Sequence, residues 1–102
     1  MENTVLEKFH QGRQSLGTFS AIGSPLAVES LRYTGLDYVI VDTEHSPAGI
    51  ESAAAQIAAA QGAGLTALAR ANEISRTAVL RLLDVGAQGV VVPCVETVEE
   101  VR

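Results

Sequence analysis

The stretch Tyr38-Val39-Ile40-Val41-Asp42-Thr43-Glu44-His45-Ser46-Pro47 decides how the chain is read. A short apolar run rich in β-branched residues stops at the carboxylate of Asp42. A second carboxylate, Glu44, and an imidazole, His45, follow at once, and Ser46-Pro47 then opens a helix. An apolar run without alternation reads as a strand buried on both faces, which is the habit of parallel sheets. In parallel α/β proteins the carboxyl ends of the strands are where ligands bind and chemistry is done.

The same strand–loop–helix plan repeats on both sides of this stretch. Upstream, Asn3 caps a first helix whose apolar side is Val5, Leu6 and Phe9, and Gly12 weakens its end. Residues 16–21 read as a first strand. Ser24-Pro25 starts a helix that runs to a glycine stop at Gly35. Downstream, the alanine-rich run 50–61 has high helix propensity and ends at Gly62 and Gly64. Residues 65–70 form a third strand, and Asn72 or Ser75 caps a helix that continues to Gly86. Residues 89–93 form a fourth strand, and Thr97-Val98-Glu99-Glu100 matches a capping box.

Four strands alternating with helices predict a parallel sheet with right-handed crossovers. No GxGxxG follows the first strand, which argues against a doubly wound dinucleotide-binding sheet. The expected fold is therefore α/β, built of parallel (βα) repeats, about the first half of a (β/α)8 TIM barrel. The expected domain organisation is one partial barrel domain over residues 1–102, truncated at its C-terminus.

Composition narrows the function. The chain has 102 residues, 47% hydrophobic and 19% charged, which suits a packed globular domain. Its formal charge of -5 disfavours nucleic acid or an anionic membrane as a partner. Cys94 is the single cysteine, so no intrachain disulfide forms; it reads as a small buried hydrophobe. With no signal-like N-terminus and no apolar run of membrane length, the expected location is cytoplasmic.

Polar groups collect at the carboxyl ends of the strands. Ser20 stands at the first, Asp42, Glu44 and His45 at the second, Arg70 at the third, and Pro93-Cys94 at the fourth. His45 can move protons near neutral pH, with Asp42 as its orienting partner, as a metal ligand or as a local cap. Glu44 reads as a solvated loop charge. A guanidinium at the end of a buried strand needs an anion, so Arg70 faces either a substrate carboxylate or enolate, or an internal carboxylate at Asp42 or Glu44.

Asp42-Thr43-Glu44-His45-Ser46-Pro47, then Ala69-Arg70, then Leu82-Leu83-Asp84-Val85-Gly86-Ala87-Gln88-Gly89-Val90-Val91-Val92-Pro93 resemble the HpcH/HpaI aldolase family. These are metal-dependent class II aldolases of 2-keto-3-deoxy acids, and the resemblance runs from about Gly17 to Arg102. It implies a (β/α)8 barrel in a homo-oligomer, and reversible cleavage of a 2-oxo-4-hydroxy acid to pyruvate and an aldehyde. It also implies a divalent Mg, Mn or Co ion on the pyruvyl group, with carboxylate ligands on later strands beyond residue 102. His45 takes the acid/base role, Arg70 binds substrate and stabilises the enolate, and Asp84 raises the basicity of the histidine. The spacing places Asp84 near a helix end on the far face of the barrel. Two other readings remain: a citrate-lyase β-like lyase acting on acyl-CoA, and a non-catalytic half-barrel.

Overall fold

The computed structural model describes residues 3–44 and 49–101. Four strands, β1 (Gly17–Ser20), β2 (Tyr38–Asp42), β3 (Thr66–Arg70) and β4 (Gly89–Val91), lie side by side in chain order. Every pairing is parallel. Between them run α2 (Pro25–Ser30), α3 (Ile50–Gly62) and α4 (Arg76–Asp84), with α1 (Thr4–His10) before the sheet and α5 (Val98–Val101) after it.

Side-chain capping starts α1, α2, α4 and α5, whereas α3 starts at Gly49 with no side-chain cap. Asn3, Ser24 and Ser75 each accept a backbone N–H from three residues ahead. At α5 the capping box forms in both directions, with the Glu100 amide on Thr97 Oγ1 at 3.3 Å and the Thr97 amide on Glu100 Oε1 at 3.0 Å. Of the two caps open for α4, the hydroxyl of Ser75 is the one used. The helix start read at Ser46-Pro47 lies outside the described residues. α2 stops at Ser30, short of Gly35, and tightens into a 3-10 turn over Leu31–Tyr33.

The core lies between the outer face of the sheet and the helices. Val39 and Val41 of β2 and Ala67 and Ala69 of β3 are fully buried there, beneath Ala53, Ile57 and Ala60 of α3. Small residues on both sides let α3 lie close to the strands. α1 departs from its amphipathic reading: none of its residues is buried, and Phe9 is 74% exposed. Polar bonds tether it instead. Lys8 Nζ lies 2.7 Å from Asp37, whose other carboxylate oxygen accepts the Leu16 amide at 3.0 Å.

The opposite face of the sheet, which lines the interior of a barrel, alternates large and small side chains. Tyr38 lies across Gly17, where an added Cβ would come within 2.2 Å of its ring. Leu68 lies across Gly89, where an added Cβ would meet its terminal methyl at 2.7 Å.

Candidate active site

β2 and β3 end together. Asp42 is in register with Arg70, and on neighbouring parallel strands residues in register face the same side. Register therefore delivers a carboxylate to a guanidinium 28 residues away in the chain. Arg70 Nη2 donates to Asp42 Oδ2 at 2.6 Å and Nε to Asp42 Oδ1 at 3.1 Å, a side-on two-point pair. The Asp42 side chain is only 4% exposed and that of Arg70 21%.

The turn after β2 adds the second acid. The Glu44 amide donates to Asp42 Oδ1 at 2.8 Å, which folds the chain back so that Glu44 Oε1 sits 3.4 Å from Arg70 Nε. Thr43 extends the register past the strand ends, placing its amide at 3.2 Å and its hydroxyl at 2.5 Å from the Arg70 carbonyl. On β1 the Phe19 ring packs against the guanidinium, 4.7 Å from centroid to carbon. That contact spans β2, joining alternate strands as in the side-chain layers inside a barrel.

The hydrogen bond to Asp42 raises the Arg70 pKa above its ordinary value, burial opposes this, and the Asp42 and Glu44 charges add to it. The guanidinium is a fixed cation at every working pH. The cluster combines that cation with two carboxylates at the mouth of the sheet, a group able to orient and stabilise an anion.

Of the anions expected for Arg70, the internal carboxylates of Asp42 and Glu44 are both paired with it here. Glu44 is drawn in from solvent, contrary to its reading as a solvated loop charge. His45 follows Glu44 directly but lies outside the described residues. Asp84 ends α4 and is exposed. It stands where the chain turns toward the start of β4, at the opposite edge of the sheet from Arg70. Cys94 corrects another expectation. It is exposed in a left-handed conformation at φ 56, with Sγ 3.9 Å from Glu44 Oε2. A position after the strand end escapes the core that β4 enters.

Ser20 turns away from the cluster toward the helices, donating to Gln56 Oε1 at 2.7 Å. Gln56, fully buried in α3, donates in turn to Ser52 Oγ at 3.2 Å. Sequence reading passed over Gln56 and Phe19. Gln56 carried a signal: it is the lone polar residue on the buried stripe of Ala53, Gln56, Ile57 and Ala60. Phe19 shares the inward parity of Gly17, but only register brings it to Arg70.

A parallel βα sheet bearing an acid–guanidinium cluster at its carboxyl edge is the architecture of a barrel-type α/β protein. The chain belongs to the HpcH/HpaI aldolase/citrate lyase family, whose sequence pattern covers residues 15–102. A hydroxypyruvate/pyruvate aldolase of Roseovarius nubinhibens is 32% identical over 98% of this chain and 39% of its own length. A 5-keto-4-deoxy-D-glucarate aldolase of Citrobacter koseri is 33% identical over 86% of this chain and 34% of its own. Among solved structures, the citrate synthase SbnG superposes with a TM-score of 0.89 at 33% identity, over 93% of this chain and 39% of that one. An HpcH/HpaI aldolase from Desulfitobacterium hafniense gives 0.86 at 33% identity, over 96% of this chain and 38% of that one. The chain thus spans between a third and two fifths of the length of these relatives.

The family's aldolases are generally dependent on a divalent metal. Among the described residues no three His, Cys, Asp or Glu side chains gather to hold one. The carboxylates at the mouth are turned to Arg70 instead, so the described residues do not fit a metal centre by themselves.

Proposed function

We propose that this chain carries the anion-stabilising and proton-transfer part of a class II pyruvate aldolase site. The reaction is reversible cleavage of a 2-oxo-4-hydroxy acid to pyruvate and an aldehyde. The observation that carries the reading is the two-point Arg70–Asp42 pair, buttressed by Glu44 and Phe19 at the carboxyl edge of the sheet. Cleavage leaves negative charge on an enolate, and a guanidinium already locked in orientation stabilises it without reorganising. Arg70 serves as both the substrate-binding and the enolate-stabilising group. Asp42 holds Arg70 in place, and His45, three residues further along the chain, takes the role of exchanging the proton of the 4-hydroxyl.

Asp84 reaches the histidine only by an indirect route or from another subunit of a homo-oligomer, since its own helix ends on the far side of the sheet. The divalent ion (Mg, Mn or Co) takes its ligands from strands that follow residue 102 in the family. Small 2-oxo acids and aldehydes are the partners, in a cytoplasmic setting. No helix among the described residues is long and apolar enough to cross a membrane.

The likeness to a citrate synthase supports a second reading, carbon–carbon chemistry on a thioester as in a citrate-lyase β-like lyase. Proton exchange in deuterated buffer separates the two. NMR of pyruvate and of acetyl-CoA with the chain, with and without Mg or Mn, shows which methyl group exchanges. Exchange at pyruvate that is lost in Arg70→Ala supports the aldolase reading. Exchange at acetyl-CoA alone supports the second, and exchange at pyruvate unaffected by Arg70→Ala removes Arg70 from the reaction.

A further inference from the structure

We infer that Gln56 is a positioning residue for the mouth: through Ser20 it fixes the carboxyl end of β1, and so sets the Phe19 ring against the Arg70 guanidinium. An amide in the middle of an apolar helix face is costly to bury unless its polar atoms are bonded. Gln56 is 0% exposed, shares its stripe with Ala53, Ile57 and Ala60, and is bonded at both ends of its amide. The Ser20 hydroxyl donates to Oε1 at 2.7 Å, while Nε2 donates to Ser52 Oγ at 3.2 Å and to the Ser52 carbonyl at 3.4 Å. A carbonyl only accepts, so the amide NH2 faces Ser52 and its oxygen faces Ser20. Ser52 Oγ continues the relay, donating to the Gly23 carbonyl at 3.4 Å. One buried side chain of α3 thereby ties down both the last residue of β1 and the turn that follows it.

Strand geometry carries that restraint to the site. Successive side chains of a strand point to opposite faces, so Ser20, bonded outward to α3, leaves Phe19 pointing inward. Phe19 is in register with Ile40 of β2, and its ring reaches across that strand to the Arg70 guanidinium at 4.7 Å. The Asp42 pair holds the guanidinium through its N–H groups. Phe19 holds it through the face of the ring, where placement alone decides the contact. Replacing a buried polar pair by apolar groups of the same shape is often nearly neutral for stability. What the Ser20–Gln56–Ser52 relay provides is therefore the position of β1, and with it the setting of Arg70.

The catalytic consequence rests on the proposed aldolase reading, the placement of Phe19 does not, and the two are read separately. Placement is read from the Arg70 Nε–H signal in NMR of the 102-residue chain. The ring current of Phe19 displaces that signal, and Phe19→Leu returns it toward its ordinary position. Gln56→Met, apolar and close in length, should leave the urea midpoint nearly unchanged but move the signal in the Phe19→Leu direction. Ser20→Ala should move it the same way, and the double variant no further than either alone. Ser20→Thr, which keeps the hydroxyl, should leave it at the parent position. Should Gln56→Met unfold, the two Ser20 variants decide by themselves. On the same samples, with added Mg or Mn, pyruvate proton exchange should fall about 10-fold in Gln56→Met and Ser20→Ala, short of the roughly 100-fold that a misplacement of about 1 Å can cost. An Arg70 signal unmoved in Gln56→Met and Ser20→Ala overturns the inference, and so does a moved signal with exchange at the parent rate. Absence of exchange in the parent chain overturns the aldolase reading and the catalytic half of the inference with it, while the NMR signal still decides the placement of Phe19.

Discussion

Arg70 is held on two sides by carboxylates and on a third by an aromatic ring, so its position is set before any ligand arrives. Arg70→Ala should lower pyruvate proton exchange on the order of 100-fold, the usual cost of removing a preorganised oxyanion donor. Arg70→Lys should recover little of it, because an ammonium cannot reproduce the side-on pair with Asp42. Both are read by NMR on the same exchange reaction. Asp37, at the other end of the sheet, answers to pH. Its carboxyl is held below the ordinary value of 3.8, first by the hydrogen bond from Lys8 and then by the Leu16 amide. Such a group binds fewer protons folded than unfolded, so its stabilisation is complete above the ordinary pKa and is lost as pH falls through the lowered one. Urea midpoints measured between neutral and acid pH should fall less steeply below pH 3.8 in Asp37→Asn than in the parent chain.

At the scale of elements, two glycines test how the strands pack. An alanine at Gly17 drives its Cβ into three atoms of the rigid Tyr38 ring, at 2.2, 2.3 and 2.5 Å. At Gly89 the close atom is one methyl of Leu68, the movable end of a side chain. Gly17→Ala should therefore cost about 1–3 kcal/mol of overpacking and Gly89→Ala distinctly less, as read by chemical denaturation. The start of α4 depends on one hydroxyl, with Ser75 Oγ accepting the Ala78 amide at 3.0 Å. Ser75→Ala should cost about 1 kcal/mol, and Ser75→Asp should restore most of it. The strand and helix order was legible in the chain, because caps, glycine stops and β-branched runs act within a few residues. The exposed setting of α1 was not. Its apolar side was visible, but whether anything covers Leu6 and Phe9 depends on segments remote in sequence.

At the scale of the molecule, the four strands form a wall whose inner face and two edges remain open among the described residues. The carboxylates at its mouth serve the arginine, and no group of three ligand-type side chains gathers among the described residues. Added Mn2+, or its removal with EDTA, should accordingly leave the thermal midpoint of the chain unchanged by differential scanning calorimetry. A metal-dependent rise would place a complete ligand set within the chain.

By itself the sequence determined the parallel βα order, the boundaries of β2, the N-caps at Asn3 and Ser24, and the capping box. Each of these depends on neighbours within a turn or a strand, so local sequence suffices. Tertiary structure alone decided that Arg70 meets Asp42 and Glu44 beneath Phe19, that Glu44 is drawn from solvent and Cys94 left in it, and that Gln56 anchors Ser20. Those contacts join residues 26 to 51 positions apart, and only strand register and sheet curvature bring them into contact.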